Sequence, residues 1–104
     1  MKYIPNNLRE YESATNEMPD SLRDIQRLLG AKWKLAVWQR YTVNNNWIAG
    51  LEYNGRHFKL VCDRGGIDVF DITDGHERQI PTTVDSNWIT PPSQIYELLT
   101  KVVA

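Results

Sequence analysis

Residues 47–62, WIAGLEYNGRHFKLVC, predict two strands joined by a tight turn at the centre of the fold. Asn54-Gly55 is a strong hairpin signal, because the favoured two-residue turn needs positive φ at both positions. A two-residue turn also predicts the register, in which the apolar face pairs Tyr53 with Arg56, Leu51 with Phe58, Ala49 with Leu60, and Trp47 with Cys62. The other face pairs Glu52 with His57, Gly50 with Lys59, and Ile48 with Val61, which is a mixed set.

Further strands are predicted on both sides of this hairpin. Apolar residues alternate over 33–41, and residues 67–72 follow a glycine-rich turn. Such short connections permit only antiparallel neighbours, so the pattern predicts a four-stranded antiparallel meander. A three-residue loop at 44–46 would pair Val37 with Tyr53 and place the odd-numbered apolar residues of the first strand on the core face.

Helical patterns lie before and after the strands. Apolar residues at helical spacing, with Gly30 as a stop, predict a helix over 19–29, and Ser21 begins a capping-box spacing. Thr90 is the predicted N-cap of a C-terminal helix, and a weaker helical pattern begins at Asn7. Residues 73–90 are interpreted as a surface connection with a short extended piece at 79–82. The predicted fold class is therefore α+β, a four-stranded antiparallel meander with an N-terminal and a C-terminal helix on one face.

Length, composition and charge restrict the function classes. The 104 residues, 41% of them hydrophobic, suit a single domain over 1–104, and one cysteine permits no internal disulfide. The net charge of −1 argues against a dedicated polyanion binder. The charged residues are nevertheless unevenly distributed along the chain. Residues 32–64 carry six basic and two acidic residues, whereas residues 65–104 carry two basic and six acidic ones. No secretory signal or membrane-length apolar run is present, so we expect a cytoplasmic protein without a membrane partner.

The candidate catalytic residues do not converge in the predicted register. Cys62 lies on the core face and His57 on the opposite one, so the thiol lacks the base that a nucleophilic cysteine needs. The acidic residues between 68 and 77 do not have the spacing of a calcium-binding loop. We therefore expect a non-enzymatic protein without a metal or cofactor. A small hydrolase or nuclease around Glu52, His57 and His76 is a remaining alternative.

The second face of the predicted sheet carries the candidate partner-binding residues, which are Lys34, Trp38, Arg40, His57 and Lys59. Tryptophan and arginine anchor many protein interfaces, and aromatic rings among basic residues also bind single-stranded nucleic acid. The acidic overall charge favours a protein partner over a nucleic acid. A different interpretation buries Trp38 beneath the first helix or the 73–90 connection.

These observations lead to a function hypothesis. We expect an interaction module that binds and inhibits a macromolecular partner, and small immunity or anti-defence inhibitors offer an analogy of size and charge alone. Opposed basic and acidic regions favour oriented, salt-sensitive docking. The alternative is a single-stranded nucleic-acid-binding module that uses Trp38, Arg40 and Lys59.

Overall fold

The computed structural model describes residues 18–40, 46–82 and 89–104. In chain order its elements are α1 (Asp20–Leu29), β1 (Lys34–Arg40), β2 (Trp47–Tyr53), β3 (Arg56–Asp63), β4 (Gly66–Asp71), β5 (Arg78–Ile80) and α2 (Pro92–Val103). The strands form one antiparallel sheet in the order β1-β2-β3-β4-β5. The α+β class with an N-terminal and a C-terminal helix is confirmed, but the sheet has five strands rather than four. The helical pattern that begins at Asn7 lies outside the described residues.

The central hairpin has the predicted register. Trp47 pairs with Cys62, Tyr53 pairs with Arg56, and the five pairs between them follow in step. Asn54 and the glycine after it have φ values of 47° and 83°, which are the positive values that the two-residue turn requires. Local turn chemistry therefore sets the position of β2 against β3.

A fifth strand occupies part of the predicted 73–90 connection. The Gly75 amide donates a hydrogen bond to the Ile72 carbonyl at 3.0 Å, and the Asp74 carboxylate accepts one from the His76 amide at 3.1 Å. This tight turn brings the chain back antiparallel to β4, so β5 extends the sheet. The short extended piece predicted at 79–82 is thus partly a strand of the sheet.

The predicted register of β1 is wrong. Val37 pairs with Gly50 rather than with Tyr53, and Trp38 pairs with Ala49. The pairing predicted from a three-residue loop at 44–46 depends on residues that lie largely outside the described part of the chain. The observed pairs place Trp38 on the same face as the core residues of β2.

A β-bulge explains why the apolar residues of β1 do not alternate. The register shifts between Leu35 and Val37, which leaves Ala36 as the extra residue. Leu35 and Trp38 both pack against the main core as a result. Val37 lies on the opposite face, where it forms a small apolar cluster with Ile48.

The main core lies between the sheet and the two helices. One contiguous buried cluster joins residues of α1, α2 and the strands, namely Leu22, Ile25, Leu29, Trp33, Trp47, Ala49, Leu51, Phe58, Leu60, Cys62, Ile67, Val69, Ile95 and Leu99. Both helices therefore cover the same face of the sheet, as the sequence predicts.

Two residues predicted to cap helices bond to the sheet instead. Neither helix has a side-chain hydrogen bond at its N-cap. The Ser21 hydroxyl accepts a hydrogen bond from the indole N–H of Trp47 at 3.0 Å. The Thr90 hydroxyl accepts one from the Ile67 amide, also at 3.0 Å. Because these hydroxyls satisfy groups of β2 and β4, they tie the start of each helix to the sheet.

Arg56 ties the end of α2 to the sheet. Its guanidinium donates hydrogen bonds to the Val102 carbonyl and to the Asp71 carboxylate, both at 2.9 Å. It also lies 5.2 Å from the centre of the Phe58 ring. Carbonyls in the last turn of a helix lack intrahelical partners, so a cationic donor there stabilises the docked helix.

Candidate interaction surface

The structure divides the five predicted partner-binding residues between the two faces of the sheet. Trp38 and Arg40 lie on the face that carries the helices, whereas Lys34, His57 and Lys59 lie on the opposite face. The prediction that all five share one face is wrong, because the bulge in β1 reverses the orientation of the residues that follow it.

Two of these residues are buried. Lys59 is 5% exposed, and its Nζ lies 2.5 Å from Oε1 of Glu77 and 5.6 Å from the centre of the Phe70 ring. His57 is 8% exposed, and its backbone amide donates a hydrogen bond to the Thr73 hydroxyl at 3.0 Å. The Lys59 ammonium is therefore occupied by contacts within the protein's own sheet. Partner binding by His57 and Lys59 remains a prediction that their burial does not favour.

A groove lies beside β1, on the side where α1 passes. It has a volume of about 330 Å³ and is lined by Gln26, Leu35, Ala36, Val37 and Trp38. Trp38 is half-buried, since it packs against the main core and also lines the groove. The prediction that Trp38 lies on the face opposite the helices is wrong, since Trp38 lies on the helix face and is partly buried there.

The sequence signal for this groove was present but ambiguous. Residues 35–38 form a continuous apolar run, LAVW, within a strand that otherwise alternates. Strict alternation would place two of these four side chains on each face, Leu35 with Val37 and Ala36 with Trp38. A bulge instead places Leu35 and Trp38 on the helix face, and no local residue of β1 distinguishes the two arrangements.

Charge is segregated across the sheet. We call Lys32, Lys34 and Arg40 the basic edge, because they lie in β1 and in the turn that precedes it. Every charged residue between positions 25 and 51 is basic. We call the acidic residues of β4 and of the turn before β5 the acidic edge, which comprises Asp68, Asp71, Asp74 and Glu77. Since β1 and β5 are the two terminal strands of the sheet, the two charge groups lie towards opposite ends.

Several members of the acidic edge are already in ion pairs. Asp71 pairs with Arg56 at 2.9 Å and Asp74 pairs with Arg78 at 2.6 Å. Burial raises the pKa of Asp71, but hydrogen bonds from Thr73 and the nearby Arg56 guanidinium outweigh it and hold the pKa below its ordinary value of 3.8. Glu77 also pairs with Lys59, so three of the four carboxylates of the acidic edge are balanced by basic side chains of the same domain.

A recess that the sequence did not indicate lies where the ends of α1, β2 and α2 meet. It has a volume of about 310 Å³, and its lining includes Lys32, Trp33, Tyr53 and Tyr96. The rings of Trp33 and Tyr53 are 4.8 Å apart and tilted by 32°. The aromatic residues at positions 33 and 53 could have indicated this recess in the sequence. Contact between their rings, however, depends on the register of β1.

The thiol of Cys62 and the candidate base His57 lie on opposite faces of the sheet. Cys62 is 5% exposed on the core face, and burial raises the pKa of its thiol, so the nucleophilic thiolate is disfavoured. His57 lies on the other face beside its cross-strand neighbour Glu52, whereas His76 is exposed in the turn before β5. Within the described ranges, no group of three or more His, Cys, Asp or Glu side chains is placed to hold a metal ion.

Comparison with protein-family models, with curated proteins and with solved structures finds no match to this chain. Neither helix in the described part of the chain has the length and apolar character needed to span a membrane. A function must therefore be inferred from the groove and the charges of the described residues.

Proposed function

We propose that this protein is a protein-interaction module that binds another protein and inhibits it by occupying its surface. The observation that carries the proposal is the segregation of charge, with the basic edge at β1 and the acidic edge at β4 and the turn before β5. Opposed charges at the two ends of a small domain orient an approaching partner and disfavour the reverse orientation. The half-buried Trp38 beside the basic edge adds an aromatic anchor of the kind that protein interfaces favour.

A protein partner is favoured over a nucleic acid by the placement of the basic residues. Binding to single-stranded nucleic acid requires a continuous basic path with accessible rings. Lys59 is buried against Glu77, and the bulge separates Lys34 from Trp38 and Arg40. The nucleic-acid hypothesis is the second candidate, because Trp38 and Arg40 still share one face of β1.

The test is affinity capture with the full chain from nuclease-treated lysate of its source cells. We expect a protein that is retained at roughly 50 mM salt and weakened at roughly 300 mM, because exposed charge pairs are screened over that range. Lys34→Glu reverses an exposed charge of the basic edge and should reduce retention. Lys101→Glu makes the same change at an exposed position of α2 and should leave retention unchanged.

Two results would contradict the proposal. One is that no protein is retained at either salt concentration. The other is that both lysine variants retain the protein as well as the original chain does. Binding of a labelled single-stranded oligonucleotide with a steep salt dependence, but of no protein, would favour the second candidate instead.

A further inference from the structure

We infer that Arg64, in the turn between β3 and β4, is an anchor for the partner protein and binds a carboxylate that lies beside an apolar patch of that partner. This inference rests on the proposed function and names a point of contact. Its evidence is the difference between two turns of the sheet, the contacts that hold the second turn, and the lack of a partner for the Arg64 guanidinium.

The turns before and after β3 have the same backbone shape but differ in one residue. The turn before β3 has Asn54 and Gly55 at φ 47° and 83°, and the turn after β3 has Arg64 and Gly65 at φ 54° and 87°. Asparagine and glycine accept positive φ, whereas for other residues the β-carbon comes too close to a carbonyl oxygen. Arg64 is therefore held in a conformation that its own side chain disfavours. Residues under such strain cluster at functional sites.

The side chain of Arg64 gives the fold no contact that offsets this strain. Arg64 is exposed, and in the described part of the chain its guanidinium makes no hydrogen bond or ion pair. Four other arginines of the described ranges are in ion pairs with carboxylates, namely Arg23, Arg27, Arg56 and Arg78. The Arg64 guanidinium is thus available to a carboxylate outside the domain.

The backbone of this turn is held by contacts from two other segments. The Asn46 carboxamide accepts a hydrogen bond from the Arg64 amide at 2.9 Å and donates one to the Asp63 carboxylate at 3.1 Å. The Gly65 carbonyl accepts a hydrogen bond from the Thr90 amide at 2.8 Å. Because the turn is already ordered, a partner that binds Arg64 loses less affinity to the ordering of the backbone.

Ile89 adds an apolar surface beside Arg64. Its side chain lies over Gly65, where Cγ1 would be 3.1 Å from a β-carbon added to that glycine. Ile89 is nevertheless 68% exposed, which makes it the most exposed large hydrophobic residue of the described ranges. An arginine fork binds a carboxylate through two parallel hydrogen bonds, and aliphatic surface next to it suits apolar side chains around that carboxylate.

The first measurement requires no partner. Arg64→Asn and Asn54→Arg exchange the residues of the two turns, and urea denaturation of the full chain measures the stability of each variant. Arg64→Asn should raise the ratio of folded to unfolded chain about fivefold, and Asn54→Arg should lower it by a similar factor, because asparagine accepts the left-handed conformation more readily than arginine does. A loss of stability in Arg64→Asn would show that the guanidinium supports the fold, and would overturn the inference.

The second measurement is retention of the protein captured from nuclease-treated lysate of the source cells. Arg64→Asn should reduce retention about tenfold or more, as truncation of an anchoring arginine does at protein interfaces. Arg64→Lys keeps the charge but not the fork, so its retention should be intermediate. Asn54→Arg should retain the protein as well as the original chain does. Phenylglyoxal, which modifies accessible arginines, should label Arg64 less in the complex, whereas the labelling of the exposed Arg27 on α1 should not change.

The outcomes separate this inference from the proposed function. If Arg64→Asn retains the protein as well as the original chain does, Arg64 is not the anchor and the proposed function stands without it. Equal losses of retention in Arg64→Asn and Asn54→Arg, or unchanged labelling of Arg64 in the complex, would also overturn the inference. If no protein is retained by the original chain, the proposed function is wrong and the inference fails with it, whatever the stabilities of the variants.

Discussion

Replacement of Trp47 and of Trp38 by alanine tests the observed register of β1 and β2. Trp47 is the largest fully buried side chain in the described core, and its indole N–H donates a hydrogen bond to Ser21. Trp38 lies on the same face of the sheet but is half-buried beside the groove. The two substitutions remove the same atoms from sites that differ in burial.

The magnitudes follow from this difference. A buried aromatic replaced by alanine costs about 3–5 kcal/mol, and the lost hydrogen bond adds about 1 kcal/mol, so Trp47→Ala should cost about 4–6 kcal/mol. Trp38 buries part of its surface, so Trp38→Ala should cost roughly half as much, about 2 kcal/mol. Ser21→Ala leaves the indole N–H of Trp47 without its acceptor and should cost about 1–3 kcal/mol.

The assay is urea denaturation of the full chain, followed by tryptophan fluorescence and circular dichroism. A loss of about 4–6 kcal/mol is a large part of the stability of a domain of this size, so Trp47→Phe is the variant to use if Trp47→Ala does not fold. A change below about 0.5 kcal/mol for Trp38→Ala, as exposed surface sites show, would refute the bulged register. Trp38 would then lie on the face away from the helices, as strict alternation predicts.

Three further predictions concern the sheet and its contacts. Phe58→Ala should cost about 3–5 kcal/mol in urea denaturation, because Phe58 is fully buried and its removal leaves a cavity, whereas Phe58→Leu should cost clearly less. Arg56→Lys should cost about 1 kcal/mol and speed amide exchange in the last turn of α2, because one ammonium does not replace the fork that holds both Val102 and Asp71; unchanged exchange would contradict this role. The lowered pKa of Asp71 stabilises the fold above pH 3.8, and this contribution is lost as the pH falls through the folded-state value. Asp71→Asn should therefore lower the urea midpoint at neutral pH and flatten its decline in acid, and equal acid sensitivity of the two proteins would refute the assignment.

The candidate surface was predictable in its residue types but not in its geometry. The segregation of charge and the presence of Trp38 and Arg40 near a basic strand are properties of the sequence. Their separation from Lys34 and Lys59 depends on one extra residue in β1, which reverses the face of the residues after it. The groove depends on the same bulge and on the position of α1, and neither is encoded within β1 itself.

Elements whose signals are local in the chain follow from the sequence alone. Asn54 and the following glycine set the turn, and the alternation on both sides of it set the β2–β3 register, because a two-residue loop leaves no other pairing. The helix over 19–29 follows from apolar residues at helical spacing and a glycine at its end. These patterns involve residues that are close in the chain.

Features that join residues distant in the chain depend on the tertiary packing. Ser21 and Thr90 look like helix caps in the sequence, but their hydroxyls bond to Trp47 and Ile67, which lie 26 and 23 positions away. The fifth strand forms because the turn after β4 brings the chain back alongside β4, where β5 pairs with it antiparallel. The bulge in β1 places Trp38 on the helix face, where it packs against the core. The alternative arrangements are almost equal in local energy, and long-range contacts determine which one is more stable. The sequence around each residue therefore does not predict the arrangement that forms.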